Sequence, residues 1–444
     1  MTVTPTAIRP QPSSNGKTLP RDFTHLSAVE LAGLIARGEA SSVEVVEAHI
    51  RRIEEVNPKL NAVVVKRYEP ARAKAQQADA KRQRGETLGP LHGVPLTIKE
   101  CLDLHGTPST FGLSSRASHR AEQDDGYVAR LRAAGAIPLG KTNVAQLLLY
   151  YESDNPVYGR TNNPWNVERT SGGSSGGEAA IIAAGGSPLG LGTDIGGSLR
   201  VPATFCGIAS IKPTTGRAND PGRYSVPLGQ RAIVSQVGVM ARRVSDVALG
   251  LEVINGANVQ PPLPLGNFRE VDISKLRVAF HTHDGTLTVA PTVRRAVKEA
   301  AEMLKAAGAQ VFEWTPPDVP LAFRLFFELA AADGGQGFAR MWGRDKRDPR
   351  AATLALLGGL SRPAAGAISG LLKLLGQPTL GNFVGQFGHH DVDHYWQAVE
   401  AQMDYQTRFA GALQRESIDV ILAPACALPA FTHGAASDLG VAGG

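Results

Sequence analysis

Residues 170–180 read TSGGSSGGEAA, four glycines and three serines set directly before a helix-forming EAA. So much backbone freedom around two adjacent hydroxyls, Ser174 and Ser175, has three physical readings: a flexible linker, a phosphate cradle, or a catalytic turn that needs unusual backbone geometry. A linker stays polar on both sides, whereas this stretch runs into EAAIIAA and then the apolar SPLGLG. A phosphate loop closes on Gly-Lys-Ser/Thr; here Gly176 and Gly177 precede Glu178, whose carboxylate repels phosphate. The run Gly190-x-Gly192-x-x-x-Gly196 misses the dinucleotide-binding spacing by one residue. Gly173-x-Ser175-x-Gly177 does match the Gly-x-Ser-x-Gly nucleophile elbow. That elbow follows a strand, and NPWNVERT does not read as one. Acyl transfer therefore survives as the reading, with the Ser-His-Asp version its weakest form.

A second Gly/Ser element, Gly192-Thr-Asp-Ile-Gly-Gly-Ser198, follows. Consecutive glycines before a serine let several backbone N–H groups converge on one point, which makes an oxyanion hole. Upstream, Lys99 closes the apolar run PLTI. A lysine at a strand end is ordinarily solvated. If buried, it loses charge readily, its pKa falling from about 10.4 toward neutrality. It then serves as a base without any histidine. Cys101 lies two residues on, so in a continuing strand it would share the face of Lys99, the arrangement of a Glu-Lys-Cys centre.

Outward from these motifs, the chain is ordinary. Its 444 residues are 43% hydrophobic and 20% charged, enough for a large core. Forty-six basic against 41 acidic residues give +5, without a dense Lys/Arg run, so no nucleic-acid partner is expected. Cys101, Cys206 and Cys426 form an odd, sparse set with no metal-ligand spacing, which fits a reducing compartment and a cytoplasmic location. Residues 1–20 are polar and Pro-rich, lack the apolar core of a signal peptide, and read as a flexible arm. No stretch reaches the ~18 uninterrupted apolar residues that span a bilayer.

Ser27 with Glu30 and Ser41 with Glu44 read as capping boxes. The second of these opens a helix with Val43, Val46, Ile50 and Ile53 on one face, stopping before Pro58. Strands are expected at 94–98, 136–139, 276–280, 310–314 and 418–422. Helices are expected at 125–134, 143–149, 291–307 and 392–414. The Gly-rich centre, 159–229, reads as mostly loop with one short helix near 178–184. Strands alternating with helices make the chain α/β. The segment 354–375, LALLGGLSRPAAGAISGLLKLL, is apolar but broken by Gly and Pro. It reads either as two packed helices or as an apolar lid facing hydrophobic substrate.

Taken together, HGVPLTIKE (92–100), TNV (142–144), NNPWN (162–166), SGGSSGGEAA (171–180), GLGTDIGGSLRVPATFCGI (190–208) and IKPTTGR (211–217) resemble the amidase signature family, most of all its fatty acid amide hydrolase branch. The resemblance spans roughly residues 22–425. It implies a single domain over 21–444, with a large mixed, twisted β-sheet covered by helices on both faces. The catalytic core would lie at 89–255 and a variable substrate cap at about 318–390. It implies a Ser-cisSer-Lys triad: Ser198 as nucleophile, Ser174 as bridging serine after a cis peptide bond, Lys99 as base. The N–H groups of Ile195, Gly196, Gly197 and Ser198 would form the oxyanion hole. Ser175 would hold the loop, and Asp194 with Arg200 would form an ion pair that positions the turn. Leu148, Leu149, Tyr150 and Tyr151 either line an acyl or aryl pocket or pack as ordinary core. No cofactor and no metal are implied.

The expected activity is hydrolysis of C–N bonds in hydrophobic or aromatic carboxamides, extending to carbamates (urethanes) and esters. The expected partner is that small-molecule substrate, and the expected assembly a monomer or homodimer. The alternative is one component of a multi-subunit amidotransferase complex that modifies charged tRNA. Against it stand Ile195, where that branch usually has Thr, and the apolar segment 354–375. Family members usually continue for several dozen residues beyond the strand in IDVILAPACALPAF. The C-terminus at Gly444 is therefore read as shortened, or as closing its sheet differently.

Overall fold

Two capping boxes start the chain's first helices. The hydroxyls of Ser27 and Ser41 accept from the amides of Glu30 and Glu44, and each glutamate reaches back to the serine amide. Donors otherwise orphaned at a helix start are thereby satisfied. The computed structural model describes residues 22–218, 232–255 and 264–435. The expected arm at 1–20, part of the Gly-rich centre and the last residues to Gly444 lie outside these. Helix α1 (Ala28–Arg37) ends on left-handed Gly38, while α2 (Ser42–Leu60) runs past its expected stop and carries Pro58 in its last turn. A proline so close to the C-terminus costs the helix little, because few intrahelical bonds remain beyond it.

Strand β1 (Val63–Lys66), helix α3 (Tyr68–Gln83), strand β2 (Pro95–Lys99), helix α4 (Gly126–Ala133) and strand β3 (Ile137–Thr142) follow. The helix expected at 143–149 is only a 3₁₀ turn, Gln146–Leu148. Leu147 and Leu148 have φ of 50° and 62°, and a left-handed backbone ends any α-helix there. After a small hairpin, β4 (Asp154–Asn155) and β5 (Gly159–Arg160), come α5 (Gly176–Ala183), β6 (Leu189–Asp194), α6 (Arg200–Cys206), β7 (Ala209–Ile211), β8 (Gln236–Ala241) and α7 (Val244–Ile254). The described part of the Gly-rich centre thus holds more than the one short helix expected: α5, α6 and three strands, of which β6 lies inside the main sheet. Its glycines are close-packing positions. A Cβ on Gly190 would run into Glu178 Oε1, and one on Gly192 would lie 2.6 Å from Leu199 Cδ2.

The main sheet has the order β1-β3-β2-β6-β8-β7, with β2 parallel to both β3 and β6 and the remaining pairs antiparallel. Strands β2, β6 and β8 are buried along their whole length. Alternate residues feed two cores. Leu96, Ile98, Leu191, Val237 and Val239 face α1, α4 and α7, while Met240, Ile137 and Leu139 face α2, α3, α5 and α6.

A second, parallel sheet has the order β10-β9-β11. It is built from β9 (Arg277–Phe280), the crossover helix α8 (Pro291–Ala306), β10 (Gln310–Glu313) and a final strand. Before that strand the chain adds α9 (Val319–Ala330), α10 (Gln336–Trp342), α11 (Pro349–Gly358), α12 (Arg362–Leu374), α13 (Pro378–Val384) and α14 (Val392–Arg415), then β11 (Val420–Leu422). The apolar segment 354–375 is a helix pair, α11 and α12, bent by 113°. Its inner face packs on Phe383, Val384 and Phe387, and Leu356, Leu371 and Leu374 lie outside. Among the described residues, no single helix is long and apolar enough to cross a membrane.

Candidate active site

Alternation along β2 decides where Lys99 points. Leu96 and Ile98 enter one core, so Thr97 and Lys99 face α5 on the other side. Lys99 is fully buried. Its Nζ lies 2.7 Å from Ser174 Oγ, 2.8 Å from Thr193 Oγ1 and 3.3 Å from Thr193 O. Burial pushes the ammonium down to about 8, against the pull of Cys101, Asp194 and Glu178. Lys99 is therefore a base within reach near neutral pH. The strand ends at Lys99, and Cys101 sits in the following turn, buried at the edge of the core with Leu96 and Ile98 and bonded to Thr193. Burial pushes its thiol up to about 12, the reverse of an activated nucleophile.

The Gly173–Ser174 peptide bond is cis. Gly173 fits tightly there, since an added Cβ would lie 2.6 Å from the amide nitrogen of Glu152. Ser174 is fully buried, with its hydroxyl toward Lys99. Ser175 braces the turn: its amide donates to Ser198 O at 3.2 Å and its hydroxyl to Thr193 O at 3.3 Å.

Ser198 follows β6 on a turn built by Asp194. Asp194 Oδ1 accepts from the Gly197 amide at 2.7 Å, and Oδ2 accepts from the Leu199 amide at 3.0 Å. Arg200 binds the same carboxylate in bidentate fashion, Nη2 to Oδ1 at 2.9 Å and Nε to Oδ2 at 3.0 Å. Burial opposes ionisation of Asp194. The bonds and charge of Arg200 and the two amides outweigh it and hold the carboxyl below its ordinary range. The Gly197 N–H is taken by Asp194, whereas the amides of Ile195, Gly196 and Ser198 have no hydrogen-bond acceptor among the described residues. The Ser198 hydroxyl likewise makes no hydrogen bond among them, and it opens on the same cleft as Ser174.

That cleft is lined by Leu147, Leu148, Leu149, Thr193, Ile195, Ser235 and Phe338 together with the two serines. Leu148 and Leu149 are thus at the wall, but Tyr150 and Tyr151 are not. Tyr150 is buried, its hydroxyl bonded to Gln146 N and Asp154 O beneath the Arg350 guanidinium. Tyr151 donates to Gly196 O in the turn that carries Ser198.

The amidase family profile matches residues 44–442 of this chain. The chain belongs to the amidase family. This amidase is 41% identical over 325 residues to a protein of Danio rerio named fatty-acid amide hydrolase 2-A, covering 70% of this chain and 60% of that one. It thus spans less than two thirds of that relative's length. It is 35% identical to a glutamyl-tRNA(Gln) amidotransferase component from Roseiflexus castenholzii, over 93% of this chain and 84% of the relative. A solved fatty acid amide hydrolase superposes with a TM-score of 0.78 at 28% identity, covering 95% of this amidase and 72% of that chain.

Several supporting residues carry no signal in the sequence. Glu178 closes a buried arrangement with Thr97 and Thr142, accepting from both hydroxyls. Burial pushes its carboxyl up to about 8, so it is largely neutral at pH 7. Thr193 holds the Lys99 ammonium, and Phe326 of α9 covers the turn, its Cζ 2.9 Å from where a Gly196 Cβ would stand. Arg350 binds Glu152, Asp154 and Asp348 from a buried position. Three-dimensional contact marks these residues, because all their partners but Asp348 lie far away in sequence.

Proposed function

We propose that this amidase is a serine hydrolase of hydrophobic or aromatic carboxamides, working through an acyl-enzyme on Ser198. The observation that carries the reading is the buried Lys99 Nζ at 2.7 Å from Ser174 Oγ, beside Ser198 in one apolar cleft. Neutral Lys99 takes the proton of Ser174 as Ser174 takes that of Ser198. The Ser198 oxygen then attacks the substrate carbonyl carbon. The carbonyl oxygen becomes an oxyanion facing the amides of Ile195, Gly196 and Ser198, where one donor is worth about 3 kcal/mol. The relay then runs backward and protonates the leaving nitrogen, the C–N bond breaks, and water attacks the ester by the same path to release the acid. Nothing in these steps calls for a metal or a cofactor.

The walls Leu147, Leu148, Leu149, Ile195 and Phe338 favour an apolar acyl or aryl group over a charged one. Urethanes and esters carry carbonyls open to the same attack and belong to the proposed range. Purified protein is treated with a fluorophosphonate probe and then offered a fatty amide, an acetanilide, a benzamide and a nitrophenyl carbamate. Labelling at Ser198, absent in Ser198→Ala, with turnover of at least one substrate is expected. Labelling elsewhere, or turnover that survives Ser198→Ala, would sink the assignment.

A second reading, a component of a tRNA-dependent amidotransferase, is favoured by the similarity to the Roseiflexus protein over 93% of this chain. It is separated by the same assay, since turnover of a simple amide by the isolated chain needs no partner protein.

A further inference from the structure

Away from the nucleophile, Glu328 near the end of α9, His390 just ahead of α14 and His394 in its first turn converge from distant parts of the sequence. Each offers one ligand atom, and these atoms lie within 4.8 Å of one another. Glu328 and His390 are buried, 3% and 7% exposed, and His394 is half-buried. The Glu328 carboxylate divides its oxygens. Oε2 accepts from Arg324 Nη1 at 3.1 Å, while Oε1 lies 2.5 Å from His394 Nε2. The two imidazole rings stack face to face, centroids 4.2 Å apart and 5° from parallel. His390 Nε2 is buried without a hydrogen-bond partner. A buried lone pair with no donor, beside an imidazole and a carboxylate oxygen, is an unfinished coordination set.

We propose that Glu328, His390 and His394 bind a divalent transition metal ion of the zinc type. Two imidazoles and one carboxylate suit Zn²⁺ and its substitutes Co²⁺ and Ni²⁺, with ligand distances of about 2.0–2.2 Å and a place left for water. To bind through Nε2, the His394 ring carries its hydrogen on Nδ1, and His394 Nε2 and Glu328 Oε1 part to admit the ion. Arg324 stays on Oε2 as the outer partner that fixes the carboxylate.

The ion ties α9 to the start of α14. Helix α9 also carries Phe326, which covers Gly196 in the nucleophile turn, and Leu325 and Leu329, which pack with Ile233 and Ala398. None of the three ligands lines the catalytic cleft. The ion is therefore a clamp on the roof of the site and takes no part in the chemistry.

The test is a Co²⁺ titration of the chelator-stripped full chain, read by visible ligand-field absorption. One equivalent is expected to bind. Affinity should fall in Glu328→Gln and in His394→Gln by more than the roughly 10–100-fold that loss of an outer partner costs. The control His389→Gln, changed at an exposed neighbouring histidine, should bind as wild type does. X-ray absorption on the zinc-loaded wild type needs no variant to fold, and should count two imidazoles. Absence of a ligand-field band, fewer than two imidazoles, or unchanged affinity in both ligand variants would overturn the site.

Discussion

Lys99 carries opposite demands on one side chain. Burial costs it solvation, and that cost makes it a base. With its pKa at about 8, roughly a tenth of the molecules hold it neutral at pH 7. Turnover on a neutral amide should therefore climb tenfold per pH unit below about 8 and level off above it. Replacing the base removes both the chemistry and the penalty. Lys99→Met should abolish turnover while leaving the protein as stable at pH 7, or about 1 kcal/mol more so. Denaturant midpoints of the two proteins at pH 7 check this. A variant several kcal/mol less stable would mean that the bonds to Ser174 and Thr193 outweigh the desolvation of the charge. At this scale Lys99, Ser174 and Ser198, proposed as the triad, drew notice in the sequence because they stand in motifs that local composition sets apart. The bond from the Gly197 amide to Asp194 was not legible, since it depends on which way the carboxylate turns.

Among the elements, α11 is joined to the catalytic side by charge as well as by Ala351 and Ala355, which pack into the main core. Arg350, in its first turn, is 8% exposed and meets Asp348 at 2.6 Å, Asp154 at 2.9 Å and Glu152 at 3.2 Å. Its guanidinium also lies over the Tyr150 ring at 4.7 Å. Glu152 and Asp154 sit on the segment that backs Gly173, so the ion network bears on the position of Ser174. Arg350→Ala leaves buried carboxylates without a counter-charge and should cost about 3–5 kcal/mol, with a fall in kcat because Ser174 loses its backing. Urea unfolding with parallel kinetics reads both, and a loss under about 1 kcal/mol would show the acids to be adequately solvated. The helices with clear capping and periodicity, α1, α2, α8 and α14, were visible in the sequence. Strand β6 was not: glycine replaces the apolar alternation there because Glu178 and Leu199 press on it. The helix expected at 143–149 failed because Leu147 and Leu148 take left-handed backbone angles that no local propensity announces.

The whole molecule closes on itself through its late segments. After β11 the chain returns to the loop ahead of Ser174. The Thr170 amide donates to Phe431 O at 2.9 Å, and Phe431 stands edge-on to Phe205 of α6 at 5.6 Å. Such returns join residues hundreds of positions apart, which sequence periodicity cannot register. Stability against pH is the property in which all these burials add. Glu178 has a folded pKa of about 8 against an ordinary 4.5, so between those values the folded state binds the extra proton, and stability falls as pH rises. His49 and His390, both pushed down to about 4 from 6.5, act in the opposite sense below about pH 6.5. Lys99 acts in that same sense only between about 8 and 10.5. From about 6.5 to 8, then, Glu178 alone of these four sets the slope, by at most about 1.4 kcal/mol per pH unit. Glu178→Gln keeps a neutral, hydrogen-bonding group between Thr97 and Thr142 and cannot titrate. Its stability should exceed that of the wild type by a margin that widens from pH 6.5 to 8 and is smallest near pH 4.5. Guanidinium midpoints for both proteins at half-unit steps measure the margin. Parallel curves across that window would mean that Glu178 is already ionised in the folded protein and balanced by the Lys99 ammonium.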